Sequence, residues 1–212
     1  MNFKHACFIS YRHGQGELVK GFLDQFSSAL KSELEMHLAE DVYLDKDRLH
    51  AGAVLNPTLA LALCESVCMI MIYTPRYFAS DSTYCIREFL AMQNVENKRT
   101  QLAQPTATKS FIVPVVLRGN EGFPNQIFGQ GPVIYSDFSR FTLSDRKIIK
   151  NSSYFSEIKK IANHIVSMFN MLSAKQPCRE CSQLHFPDEQ VALAWLNNNF
   201  GANNESFPFR NN

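Results

Sequence analysis

One short segment, Ser82 to Glu88, holds residue types from which a catalytic site could be built. Ser82 is a favourable helix N-cap, and the run from Thr83 to Val95 has neither proline nor glycine, which predicts a helix that begins here. Tyr84 and Glu88 are four residues apart, so they lie one turn above the other on that helix. An aromatic ring beside a carboxylate could hold a flat cationic ring and act on the bond next to it. The simpler interpretation is a solvated surface glutamate.

Polar side chains also follow two short apolar runs that have the character of strands. They are Ser10, Tyr11 and Arg12 after the first run, and Asp45 and Arg48 after the second. Ligands bind outside the carboxyl ends of parallel strands, so these residues are expected to converge with the tyrosine and glutamate of the helix. Two alternatives stay open, because Ser10 could satisfy loop backbone and Asp45 could form an Asx-turn.

Apolar periodicity predicts the elements that must position these side chains. The predicted strands are 6–11, 42–44, 67–73, 111–117 and a weak fifth at 133–135, and the predicted helices are 18–38, 55–63, 83–95, 158–172 and 189–199. Strands that alternate with helices imply a parallel sheet with helices on both faces. The uninterrupted apolar run of the third strand is typical of a central position, whereas Pro114 indicates an irregular or edge position for the fourth.

Composition limits the classes of protein to which the chain can belong. Its 212 residues are 45% hydrophobic and 19% charged, which fits one domain of about 150 to 170 residues with an appendage. The 21 basic and 20 acidic residues give no excess of positive charge for nucleic acid. The longest apolar run, Val67–Tyr73, is far shorter than the ~20 residues that a bilayer requires, and no secretory signal precedes the first strand. These features predict a cytoplasmic protein whose six cysteines are reduced thiols.

Three motifs in this order resemble the TIR (Toll/interleukin-1 receptor) domain family over about residues 3 to 172. The segment Cys7–Arg12 is similar to the family's first box, and Val42–Gly52 to its second strand and BB loop. The segment Ser82–Glu88 is similar to the S-x-W-C-x-x-E motif of the enzymatic branch. The resemblance implies an α/β, flavodoxin-like fold: a central parallel sheet of about five strands covered by helices. Residues 1–172 would form the TIR domain and 173–212 a C-terminal appendage.

The family contains scaffolds that signal by self-association and enzymes that cleave NAD+ into nicotinamide and ADP-ribose or a cyclic isomer. The resemblance favours the enzymes, because Glu88 and Arg12 match their catalytic and substrate-contacting positions. Tyr84 stands where the family usually has tryptophan, which leaves an aromatic face of smaller area. The resemblance implies that Glu88 is catalytic and that the substrate-binding residues are Ser10, Tyr11, Arg12, Asp45, Arg48 and Tyr84.

The chain further resembles TIR proteins of bacterial antiphage defence, of the Thoeris type. That resemblance implies NAD+ as substrate with no cofactor, self-association on activation, and a separate effector protein that senses the nucleotide product. Neither nucleic acid nor a membrane is expected as a partner. The alternative is a non-catalytic scaffold that recruits partners through the BB loop, Lys46 to Gly52. A nucleotide sensor that binds without cleaving is a third interpretation.

The resemblance ends at Ser173, and the appendage has features of its own. Cys178, Cys181 and His185 are spaced as C-x2-C-x3-H and offer three zinc ligands without an evident fourth. Exposed reduced thiols are the simpler interpretation. The helix at 189–199 is expected to dock on the main domain or on a neighbouring copy, and residues 201–212 are expected to be disordered.

Overall fold

The computed structural model describes residues 3–14, 16–44, 55–81, 83–103, 110–128, 134–141, 143–144, 147–148, 150–173, 181 and 184–201. These residues form seven strands and five helices. In chain order they are β1 His5–Tyr11, α1 Glu17–Leu34, β2 Asp41–Leu44, α2 Leu55–Glu65, β3 Ser66–Tyr73, α3 Tyr84–Ala103, β4 Ile112–Val116, β5 Ser136–Asp137, β6 Leu143–Ser144, β7 Lys147–Ile148, α4 Ser152–Ser173 and α5 Glu189–Phe200. No helix in the described ranges has the length and apolar character needed to span a bilayer.

The main sheet has five parallel strands in the order β2-β1-β3-β4-β5, which confirms the predicted α/β, flavodoxin-like fold. Every residue of β1 and β3 is buried, as expected of central strands covered on both faces. The chain places β2 on one side of β1 and then adds β3, β4 and β5 on the other side, so the direction in which strands are added reverses between β1 and β3. In folds of this order the ligand crevice opens outside the carboxyl ends of those two strands. Ser10 pairs with Met71 there, one residue before the end of β1.

The helices pack on the sheet as two pairs, α1 with α4 and α2 with α3, and α5 packs on α3. The connection from β1 to β2 runs in one direction along the sheet, and those from β2 to β3 and from β3 to β4 run in the other. Because such connections are right-handed, α1 lies on one face of the sheet and α2 and α3 lie on the other. Helix α1 buries Phe22, Phe26, Leu30 and Leu34 at a spacing of four residues. It ends at Leu34 rather than at Leu38, because a turn at residues 35–37 leads the chain towards β2. Leu38 still packs against the core, but outside the helix.

The fourth and fifth strands differ from their predictions. β5 lies at Ser136–Asp137 instead of 133–135, and Ile134 is 95% exposed. β4 is not an edge strand, since it lies between β3 and β5. Pro114 is tolerated because β5 pairs with Val115 and Val116 alone, so no β5 neighbour requires an N–H at position 114. The short strands β6 and β7 form a separate antiparallel pair.

The prediction that all six cysteines are reduced thiols is wrong. Cys64, in the last turn of α2, forms a disulfide with Cys181, and their Cα atoms are 5.5 Å apart. That separation lies in the normal range for a disulfide, and packing of the appendage against the main domain brings the two together. Because disulfides are rare in reducing compartments, the cysteines no longer support the prediction that the protein is cytoplasmic. The described thiols that stay reduced are all buried: Cys7, Cys68 and Cys85.

Candidate active site

Glu88 lies near the start of α3 and is only 5% exposed, so the interpretation as a solvated surface glutamate is wrong. The Ser10 hydroxyl donates a hydrogen bond to Glu88 Oε2 over 2.5 Å. Ser10 is 1% exposed, and its place near the end of β1 sets the carboxylate at the carboxyl edge of the sheet, beside the junction of β1 and β3. A buried carboxylate requires hydrogen-bond partners of this kind. The two residues are 78 positions apart, and the fold brings them together as the shared sheet edge predicted.

Tyr77 completes this polar group, and the sequence interpretation missed it. Its Oη is 2.6 Å from Ser10 Oγ, and the residue is fully buried. Burial raises the pKa of Tyr77 well above its usual value, and the neighbouring Cys85 and Glu88 side chains act in the same direction. The phenol therefore keeps its proton. A signal was present in the sequence, because Tyr77 follows the third strand by four residues and so reaches the same sheet edge.

Arg12 lies at the same edge, immediately after β1, and is 9% exposed. Its Nη2 is 2.9 Å from Asp81 Oδ1, and Asp81 Oδ2 is in turn 2.7 Å from Arg76 Nη2. The positive charge of Arg12 and the negative charge of Glu88 both act on the thiol of Cys85, so the three groups share one electrostatic environment. Arg12 is thus ion-paired with Asp81 and close enough to Cys85 for its charge to act on the same thiol as that of Glu88.

Cys85 is not available as a thiolate nucleophile. Burial raises the pKa of Cys85 well above its usual value, and the charge of Glu88 raises it further, whereas Arg12 acts in the opposite direction. Because a thiol is a nucleophile only after it loses its proton, this cysteine is chemically inert at neutral pH. Glu88 therefore stands as the reactive candidate of the group.

A pocket of about 200 Å³ lies beside the loop between β1 and α1. It is lined by Tyr11, Arg12, His13, Gly14, Val19, Lys20 and Leu23. The rings of Tyr11 and His13 stack there with their centroids 4.4 Å apart. Two cationic side chains near the start of α1 suit an anionic group such as a phosphate. Among the described residues that line this pocket, Glu88 is absent, so the pocket does not reach the carboxylate.

Tyr84 is the first residue of α3 and is 39% exposed. The guanidinium carbon of Arg87 lies 4.8 Å from the centroid of its ring, so one part of the ring is covered by a neighbour in sequence. The exposed part is the surface on which another ring could stack.

Several predicted site residues lie outside the described residues: Asp45, Arg48, the N-cap Ser82, the BB loop 46–52 and Cys178. Their roles stay predictions. The zinc interpretation of the appendage fails at Cys181, because that sulfur is bonded to Cys64. His185 is described, and the described part of the chain contains no group of three or more potential metal ligands.

A sequence model described as TIR domain matches residues 7–149, about two thirds of the chain. The matched range contains Ser10, Arg12, Tyr77 and Glu88 and ends just before α4. No curated protein matches the chain.

Proposed function

Because the chain belongs to the TIR domain family, we propose that it is an NAD+ nucleosidase or cyclase that cleaves the bond between nicotinamide and ribose. The products would be nicotinamide and ADP-ribose, or a cyclic isomer of ADP-ribose. The observation that carries the proposal is the buried carboxylate of Glu88, which accepts a hydrogen bond from Ser10 at the ligand-binding edge of the sheet.

A single carboxylate is sufficient for this reaction. Most glycoside hydrolases require two, because a poor leaving group must be protonated by the first while the second stabilises or attacks the anomeric carbon. In NAD+ the nicotinamide ring already carries a positive charge and leaves as a neutral molecule, so it needs no proton. Glu88 would stabilise the oxocarbenium-like charge on the ribose. A carboxylate can accept more than one hydrogen bond, so in the proposed complex ribose hydroxyls would donate to Glu88 in addition to Ser10.

Two further residues support the binding of the rest of the substrate. The guanidinium of Arg12 suits the pyrophosphate, which it can bind through two parallel hydrogen bonds. Substrate would then replace Asp81, whose side chain is 54% exposed and whose ion pair is correspondingly easy to exchange. The exposed part of the Tyr84 ring would stack on a substrate ring.

Binding must also uncover the carboxylate. Glu88 is 5% exposed, so binding of NAD+ at its carboxylate requires neighbouring side chains to move. This requirement fits an enzyme that is switched on when copies of the chain self-associate. The proposal therefore includes activation by assembly and a separate effector protein that senses the product.

Nicotinamide release from NAD+ by the purified protein tests the proposal, measured across a wide range of protein concentration. E88Q removes the negative charge with little change of shape and is expected to lower the rate at least about a hundredfold. E96Q is the matched control. Glu96 lies on the same helix and accepts a hydrogen bond from the backbone N–H of Phe111, away from the sheet edge, so E96Q is expected to keep the rate.

The second product, separated by chromatography, distinguishes hydrolysis from cyclisation. If wild type and E88Q released nicotinamide equally, Glu88 would not be the catalytic residue. If wild type self-associated and bound partners but released no nicotinamide at any concentration, the scaffold function would replace the enzyme.

A further inference from the structure

Tyr77 is a fully buried tyrosine whose hydroxyl the cleavage chemistry itself does not require. Its ring is held in place, because the backbone N–H of Tyr77 donates to the carbonyl of Thr74 over 2.9 Å and Phe78 packs edge-on against the ring at 4.8 Å. The phenol Oη therefore has a fixed position, 2.6 Å from Ser10 Oγ. Tyr77 is 0% exposed, compared with 5% for Glu88, so the phenol lies deeper than the carboxylate.

The direction of both hydrogen bonds follows from the proton count. A serine hydroxyl has one proton, and that of Ser10 is donated to Glu88 Oε2. The proton between Tyr77 and Ser10 must then come from the phenol. The result is a one-way chain, from Tyr77 O–H to Ser10 Oγ and from Ser10 O–H to the carboxylate. Hydrogen bonds in such a chain polarise one another, so each strengthens the next.

We propose that Tyr77 is a positioning residue for Glu88: its phenol fixes the rotatable hydroxyl of Ser10 so that the serine proton always points at the carboxylate. Ser10 would then act on Glu88 and not on the substrate. A hydrogen bond donated to a carboxylate stabilises its charged form, so the pair keeps Glu88 ionised in a buried place. The consequence for reaction rate rests on the proposed NAD+ cleavage, but the effect on Glu88 itself does not.

Several described titratable and charged groups act on the surroundings of Glu88. Cys85 is on the same helix, Tyr77 comes from the segment between β3 and α3, and Arg12 follows β1, with Asp81 beyond it as the partner of Arg12. Burial raises the pKa of both Cys85 and Tyr77 well above their usual values, so both stay neutral in acid. A guanidinium stays charged. Asp81 is paired with Arg12 and is common to all the variants that are compared.

The direct test is a titration of the Glu88 carboxyl carbon by ¹³C NMR, with the resonance assigned by its loss in E88Q. S10A removes the donor to Glu88 and is expected to raise the titration midpoint by roughly one pH unit. Y77F keeps the ring and removes only the phenol hydroxyl, and a smaller rise in the same direction is expected. In the S10A background Y77F is expected to cause no further rise, because Tyr77 acts through Ser10.

Y73F is the matched control for the loss of a buried tyrosine hydroxyl. Tyr73 is also buried, but its Oη donates to the carbonyl of Gly122 over 3.1 Å, so Y73F should leave the midpoint unchanged. A midpoint that Y77F does not move would overturn the proposal. So would an equal rise with and without Ser10, or a rise as large in Y73F.

The rate of nicotinamide release gives a second readout. In S10A and Y77F the acid limb of the kcat profile should move to higher pH in parallel with the midpoint, and kcat in S10A should fall roughly tenfold with little change of KM. Failure of the two proposals is distinguishable. Retained release in E88Q would end the enzymatic role of Glu88 but leave the NMR result standing, whereas an unmoved midpoint would end the role of Tyr77 with Glu88 still catalytic.

Discussion

Two adjacent residues of α3 are both nearly buried and carry opposite charges, yet their surroundings differ completely. Glu88 is 5% exposed and meets Ser10 from the middle of the sheet. Arg87 is 7% exposed and meets the appendage, where its Nε donates to the carbonyl of Pro187 over 2.6 Å. Burial of a charge is therefore not a sufficient mark of an active site. Whether a buried charged residue belongs to a candidate site or to a structural contact depends on the groups that its side chain meets.

The partners of Arg87 are those of a structural contact. Its guanidinium carbon lies 4.8 Å from the ring centroid of Tyr84 and 4.7 Å from that of Phe186. A planar cation suits two aromatic faces and a carbonyl. Glu88 instead accepts from the hydroxyl of Ser10, which in turn contacts the phenol of Tyr77, at the edge of the sheet where ligands bind.

The appendage thus docks on the main domain, one of the two possibilities that the sequence left open. Asp188 caps α5 by accepting from the N–H of Val191 over 2.8 Å, and Trp195 packs against Phe78 and Phe89. Tyr84 belongs to both regions, since Arg87 covers part of its ring and the exposed remainder faces solvent beside the candidate site.

The largest effect on stability is expected from the disulfide. It joins residues separated by 117 positions, and a cross-link of that length raises the free energy of the unfolded chain, through lost conformational entropy, by about 4 to 5 kcal/mol at room temperature. Reductant should lower the free energy of unfolding by about that amount, as measured by urea denaturation. The double variant C64A/C181A is the control and should not respond to reductant. An identical unfolding curve with and without reductant in wild type would contradict the expectation.

A smaller loss of stability is expected from R87A. The substitution removes a hydrogen bond from a charged group and two cation–π contacts, together about 3 kcal/mol. R87K should lose less, because it keeps the charge but not the flat donor. Thermal or urea unfolding of both, beside E88Q, sharpens the comparison: R87A should lose stability and E88Q should lose rate. If R87A lowered the rate of nicotinamide release without lowering the free energy of unfolding, Arg87 would not be a structural residue in contrast to a catalytic Glu88.

The smallest effect is expected from Y84A, at the border of the two regions. Loss of one partly exposed ring removes a stacking contact of about 1 kcal/mol, which should raise the KM for NAD+ several-fold. The free energy of unfolding should fall by a similarly small amount. Y84W, with a larger face, should lower the KM. Steady-state nicotinamide release measures both. A KM that neither substitution moves would assign Tyr84 to the appendage contact alone.

The fold could be predicted largely from local patterns. The apolar run Val67–Tyr73 indicated the central strand, and the unbroken segment after Ser82 indicated α3, because such periodicities depend on near neighbours in sequence. Glu88 and Ser10 could be singled out by one rule, that strand ends and helix starts of a parallel sheet share an edge. Tyr77 satisfied the same rule but has the appearance of a core aromatic, and only the phenol's contact distinguishes it.

The amino-acid sequence by itself determined the order of the elements, the parallel sheet and the edge at which a ligand would bind, because hydrophobic periodicity and chain connectivity are local properties. The tertiary structure alone decided which buried charge faces that edge and which faces the appendage, and it alone paired Cys64 with Cys181. These outcomes depend on contacts between residues about 80 to 120 positions apart, whose partners no local pattern specifies.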